Sequence, residues 1–290
     1  MDEDVDFILN FDEDVFESKF TYWNKLPARL KIEILRNLPY PTLRNFMFLS
    51  RECMALASIV KTHAYGVYLQ NKPFFGYPED IGSKETSATI TVYYIPPEAV
   101  GIPDSHKPFT MAFVDVENGD CIVRRKREKR GRWIIKNGAR YRKEKSCSAA
   151  MRMFFQLTKN IKAEHLAVEM GTDNPVIERL LMDLPPSASL TCEMLTVRAE
   201  SGALPPLLLR FVTPGCGLRI YNIFPFSDEI FMDSTFFDHQ VVREAPAFDT
   251  EAMIAITDDQ LSCLKAQWIC MKAPHVSSKG INKIIMVCPL

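Results

Sequence analysis

The stretch LPARLKIEILRNLPYPTLRNFMFLSREC, residues 26–53, decides the architecture of the N-terminal part of this chain. Pro27 suits a helix start, where its missing N–H is not needed. Leu30, Ile34, Leu35 and Leu38 recur at helical spacing, and the LPYP run ends that helix because a residue before proline avoids the α region. Thr42 is placed to cap a second helix carrying Leu43, Phe46 and Met47, and Ser50 a third carrying Cys53, Met54, Leu56, Ile59 and Val60. Three short helices amount to about 40 residues, a size at which an isolated domain is marginal. Their apolar surface needs cover, either from the rest of the chain or from a partner.

The composition around this segment is that of a folded protein: 290 residues, 47% hydrophobic and 24% charged, enough for one large domain or two smaller ones. A formal net charge of −1 argues against bulk attraction to nucleic acid or membranes, but it hides strong segregation. Residues 1–20 hold eight Asp/Glu against Lys19 alone and predict an acidic flexible arm. Residues 117–145 hold 12 Lys/Arg against 4 Asp/Glu, a net of +8. No run of about 18 apolar residues predicts a membrane span. The acidic start is unlike a secretory signal, and the eight cysteines show no C-x-x-C pair, so reduced thiols in a cytoplasmic or nuclear setting are expected.

Residues 21–70 read as a helical domain and 86–290 as a mixed α/β domain, an α+β chain in all. Within 86–145, the runs SATITVYYI, FTMAFVDV, DCIVRRKRE, RWIIK and ARYRKE predict an antiparallel meander, with Asn118-Gly119 and Asn137-Gly138 as hairpin turns. From 146 to 290 the pattern alternates between helix and strand. SAAMRMFFQLTKN and NPVIERLLMDL predict helices, and HLAVEM, CEMLTVRA, LRIYNIF and HQVVRE predict strands. TDDQLSCLKAQWICMK opens with Thr257 and Gln260 in capping-box spacing and predicts one continuous helix. Strands every 20 to 30 residues fall in the range of stacked β–α repeats, giving irregular β–α units after the meander.

No nucleophile elbow, phosphate loop, dinucleotide fingerprint or zinc-protease motif occurs. The histidines His63, His106, His165, His239 and His275 lie apart from one another and from the cysteines, without structural-zinc spacing. No enzyme activity, metal or cofactor is expected. The strongest charge feature is Arg124, Arg125, Lys126, Arg127, Lys129, Arg130 and Arg132 in the run RRKREKRGR. It fits a solvated hairpin, a patch for an acidic partner or import receptor, or a nucleic-acid surface.

The register of residues 26–53 resembles an F-box. Leu26-Pro27 opens it, Leu30, Ile34, Leu35 and Leu38 follow on the first helix, and Leu43 and Phe46 lie on the second. Leu49-Ser50 and Arg51 then lead into the third, with Trp23 just before the motif. Two positions depart from the pattern: Ala28-Arg29 where an acidic residue is frequent, and Cys53 where a tryptophan is. The remainder resembles the nematode group in which an F-box precedes an F-box-associated domain, and ITDDQLSCLKAQWI resembles that domain's final helix. The resemblance implies a non-catalytic adaptor. Leu26, Pro27, Leu30, Ile34, Leu35, Leu38, Leu43, Phe46 and Leu49 would bind a Skp-type adaptor of a cullin-based ubiquitin ligase, and the α/β domain would hold a protein substrate. The alternative is a structural or nucleic-acid-associated protein using the basic hairpin.

Overall fold

The fold is known from a computed structural model. It describes residues 23–38, 42–43, 46, 51–71, 87–95, 108–129, 132–171, 174–185, 190–224 and 229–287. The acidic arm, Leu49, Arg130 and Cys288 lie outside these residues, as do the side chains of Arg125, Lys126, Arg127, Lys129 and Arg132. By contact the chain forms two compact units, Met1–Val67 with Gly82–Lys162, and Tyr68–Ile81 with Ala163–Leu290. Among the described residues no helix is long and apolar enough to cross a membrane.

The first unit begins with a 3-10 turn (Trp23–Lys25), α1 (Ala28–Arg36) and α2 (Arg51–Ile59). Between the helices, Thr42, Leu43 and Phe46 have helical backbone. The rest of the expected second helix lies outside the described residues. Next come β1 (Thr62–Gln70), which passes into the second unit after Val67, then β2 (Ser87–Tyr93), β3 (Phe109–Asp115), β4 (Cys121–Lys129), β5 (Arg132–Tyr141) and α3 (Ser146–Asn160). The strands follow the order β1-β2-β3-β4-β5, with β2 to β5 an antiparallel meander. Ala88, Ile90 and Val92 point into the core, while Thr89 and Thr91 alternate with them on the half-buried side.

Asn118-Gly119 forms the expected turn: Gly119 has φ +80°, Val116 N–H donates to Asp120 O at 2.9 Å, and Asn118 Oδ1 accepts from Asp120 N at 3.1 Å. Asn137-Gly138 does not turn. It lies within β5, where Asn137 pairs with Arg124 and Arg140 with Ile122, so one extra residue is accommodated as a bulge. Glycine suits a bulge as well as a turn. The β4–β5 pairing instead runs on to Lys129–Arg132, and RWIIK and ARYRKE are one strand.

Helix α3 covers β2, β3 and β4. Its exposed residues Arg152, Gln156 and Lys159 form a narrow stripe, and most of the rest, including Met151, Phe154 and Leu157, is buried. No residue of its own caps the helix. Asp115 at the end of β3 does so, accepting from Ser146 N at 2.6 Å and Ser146 Oγ at 3.0 Å.

A second carboxylate, Asp120, ties the β3–β4 turn to the end of β5. It accepts from Lys143 N at 2.9 Å, Arg140 Nε at 2.7 Å and Asn118 Nδ2 at 2.9 Å. The Lys143 N–H chiefly holds its carboxyl below the ordinary value of 3.8, against an upward push from burial and with help from Arg140 and Asn118. A carboxyl depressed in the folded state adds stability that is complete at neutral pH and fades as the unfolded chain takes up the proton first, below about pH 5. Asp120→Asn should therefore lower Tm at pH 7 and flatten the fall of Tm on acidification. Thermal scans from pH 7 to pH 3 on both proteins check this; parallel curves would contradict it.

The second unit is a parallel sheet. Its strands are β6 (Ile161–Met170), β7 (Met194–Ala199), β8 (Gly217–Asn222), β9 (Ile230–Met232), β10 (Ala247–Ile254) and β11 (Trp268–Lys272). They lie in the order β6-β7-β8-β10-β11, with β9 pairing β10. The register runs His165–Met194–Gly217 and Glu169–Arg198–Tyr221 across the first three. β7 and β8 each stack beside their predecessor, whereas β10 follows β8 directly and β9 pairs β10 alone, so the β–α units are irregular. The helices are α4 (Asn174–Asp183), α5 (Leu204–Leu209), α6 (Gln240–Arg243), α7 (Asp258–Ser262) and α8 (Ser278–Val287). The core includes Leu195, Val197, Leu218, Ile220 and Phe248 from the strands, with Leu181, Leu208, Phe237 and Val242 beside them. Gly202, before α5, sits where a Cβ would overlap the carbonyl oxygen of Phe231, so only glycine permits this approach.

Two expectations fail here. HQVVRE is helix α6, not a strand: His239 Nδ1 accepts from Val241 N at 3.3 Å, and the turn buries both valines, whose β-branching suggested a strand. The segment after Thr257 is not one helix. Its capping box is present, with Gln260 N donating to Thr257 Oγ1 at 3.3 Å, yet α7 ends at Ser262. Lys265 N then donates to Arg243 O and Gln267 N to Pro246 O, both at 2.9 Å, which lays Trp268–Lys272 beside β10. The last helix is α8.

Candidate functional site

The helical segment builds a small core from Leu35, Leu43, Ala57 and Val60, with Trp23, Ile32, Leu38, Phe46 and Leu56 packed around it. Trp23 meets Phe46 edge-on at 4.8 Å between centroids. Lys31 is buried on the same side of α1, with Nζ 2.6 Å from Glu52 Oε1 and 5.5 Å from the Trp23 ring centre. Nothing in the apolar spacing singled out Lys31, whose long stem packs while its charge reaches α2.

The apolar residues of α1 therefore divide. Leu35 is fully buried, whereas Leu30 is 50% and Ile34 40% exposed. Pro27 is exposed as well, and Leu26 is half-buried. Spacings of three and four residues put Pro27, Leu30 and Ile34 in one row along the outside of the helix. Of the nine residues named for adaptor binding, Leu35 and Leu43 are internal, Leu38 and Phe46 partly so, Leu26, Pro27, Leu30 and Ile34 reach the surface, and Leu49 lies outside the described residues. Glu33 and Arg36 on the same helix are exposed and pair with each other at 3.2 Å.

The basic run occupies β4 and the start of β5. Arg124, Arg125 and Lys126 pair with Ala112, Met111 and Thr110 of β3, and Arg125 to Lys129 pair with residues 132–136 of β5. Among the described residues no group of three His, Cys, Asp or Glu could hold a metal ion.

The sequence did not point to the second candidate surface, the open face of the parallel sheet. Glu169, Arg198 and Tyr221 line up across β6, β7 and β8, and Asp249 of β10, in register with Arg219 of β8, lies beside them. Gln70 Nε2 donates to Glu169 Oε2 at 2.8 Å, Arg198 lies 5.4 Å over the Tyr221 ring, and Tyr221 OH donates to Asp249 Oδ2 at 2.6 Å. Arg219 stands 3.9 Å from the same carboxylate. Burial first, then the bond to Asp249, pushes Tyr221 up to about 12, so the phenol keeps its proton and acts as a donor. Trp268 and Lys272 extend this face on β11, both exposed. The signal was the alternation within each strand, but joining the polar residues into a row needed the register.

Comparison of the chain with protein-family models, curated proteins and solved structures found no match in any of the three.

Proposed function

We propose that this protein is a non-catalytic substrate-recognition adaptor of a cullin-RING, SCF-type ubiquitin ligase. The helical segment docks a Skp-type adaptor, and the C-terminal α/β part recruits a protein target. The observation that carries this reading is the two-sided α1: its inner face closes a local core while Pro27, Leu30 and Ile34 stay at the surface. An exposed apolar row at helical spacing, rimmed by Glu33 and Arg36, has the make-up of a protein-docking face. The F-box register of residues 26–53 supplies the kind of partner. The open sheet face, with both charges, Tyr221 and Trp268, has the residue types that dominate recognition surfaces. Rate enhancement would come from holding a target lysine near the ubiquitin carrier, which raises effective concentration without any acid, base or nucleophile from this chain.

Co-purification of the full chain with a Skp-type adaptor tests the reading, beside Leu30→Glu with Ile34→Glu. Both residues are at the surface, so the double variant should keep its fold by circular dichroism while binding falls at least ~100-fold. Equal binding by both proteins would place adaptor contact elsewhere. No binding by the wild type would overturn the ligase reading.

A further inference from the structure

Cys192 and Cys216 stand just ahead of β7 and β8, in loops 24 residues apart in sequence, with their Sγ atoms 3.3 Å from each other. The fold fixes this approach on both sides. Before the cysteines, Leu190 and Val212 form a bridge: Leu190 N donates to Phe211 O at 2.5 Å, and Thr213 N donates to Leu190 O at 3.1 Å. Thr213 Oγ1 adds a bond to Leu190 O at 2.8 Å. After them, Met194 pairs with Gly217 at the start of the parallel ladder, and Gly217 N donates to Glu193 O at 2.8 Å. The exposed Pro214-Gly215 turn, with Gly215 at φ +92°, brings Cys216 back under Cys192.

We infer that Cys192 and Cys216 form an oxidative modification site, a dithiol that peroxide converts reversibly to a disulfide. The net step is balanced by one hydrogen peroxide. Its O–O bond breaks, the two thiols lose their S–H protons and one electron each as the S–S bond forms, and two waters leave. Closing the bond needs a movement of roughly 1.3 Å between sulfurs already in contact. Cys192 is half-buried and Cys216 buried, so peroxide approaches the pair from the Cys192 side.

The proton arrangement favours this pair. The thiol of Cys192, placed to donate to Cys216, pushes the Cys216 thiol down and its own up; the Leu195 backbone contact lowers Cys216 further, while burial opposes. When protonated, Cys216 donates to Gly217 O at 3.1 Å. Cys121 is a useful contrast: burial, then Asp115, pushes it up to about 12, which keeps it an inert core thiol.

Treating the reduced full chain with hydrogen peroxide, blocking remaining thiols with N-ethylmaleimide and mapping peptides tests the site. The expected product has lost the mass of two hydrogens, carries a crosslink between the peptides holding Cys192 and Cys216, and returns to the dithiol with dithiothreitol. Closing the intervening loop should raise Tm by about 5 °C. Cys192→Ser and Cys216→Ser should each remove both the crosslink and the Tm rise. Full labelling of both cysteines after peroxide, or oxidation confined to the exposed Cys263 and Cys270, would overturn the inference from the wild-type chain alone.

Discussion

Phe237→Ala is expected to destabilise the second unit by about 3–5 kcal/mol, a large part of the 5–15 kcal/mol typical of a whole domain. The ring is fully buried and meets two others edge-on, Phe236 at 5.2 Å and Phe248 at 5.8 Å between centroids. The backbone on either side has little freedom to collapse into the space. The turn carrying Phe237 is pinned where Asp233 Oδ1 accepts from Thr235 N and Oγ1, and Phe248 is held in β10 between two parallel neighbours. Urea unfolding should show a lower midpoint with an unchanged slope. Phe224→Ala, at a residue 56% exposed, should move the midpoint little, so similar losses for the two would refute this account of the core.

The second large effect separates the two sides of α1. Leu35→Ala should cost about 2–5 kcal/mol, because it empties the centre of the small core it shares with Leu43, Ala57 and Val60. Leu30→Ala, one turn earlier and half exposed, should change stability by less than about 1 kcal/mol, since alanine is also the better helix former. Measured together, unfolding and adaptor binding should then dissociate. If the helical segment docks a Skp-type adaptor as proposed, the Leu30 variant should keep its fold and lose affinity, and the Leu35 variant should lose both. A Leu35 variant with native stability would mean that this helix has no internal face.

Elements whose signal is local were legible in the sequence. The helices at 28–36, 146–160 and 174–183 announce themselves by apolar period, and the turn at Asn118-Gly119 by residue type. The elements that were not legible depend on distant partners. β1 and β10 alternate only weakly, and β11 continues a capping-box helix without a break that composition reveals. α5 hides behind Pro205 and Pro206, which read as breakers although both fall in the first turn, where proline is tolerated. The exposed row of α1 was legible as apolar spacing. Which half of it faced inward was not, because that is set by Trp23, Leu43 and Val60 from flanking segments. The polar row on the sheet depends wholly on strand register, which spacing along one strand cannot supply.

The second unit also constrains the order in which the chain can be completed during synthesis. Asn71 is almost fully buried there; its N–H donates to Glu169 O at 3.1 Å, and its Oδ1 accepts from Gly171 N at 2.6 Å, a partner 100 residues later. Gln70 reaches Glu169 across 99 residues. Residues 68–71 therefore leave the ribosome well before the strand that receives them, and the whole of 82–162 must emerge in between. At 5–20 residues per second that interval lasts roughly 5–20 s, long enough for the meander and α3 to fold while the earlier strand end still waits for β6. The second unit is thus the later to form, and a fragment starting at residue 163 would lack a piece of its own sheet.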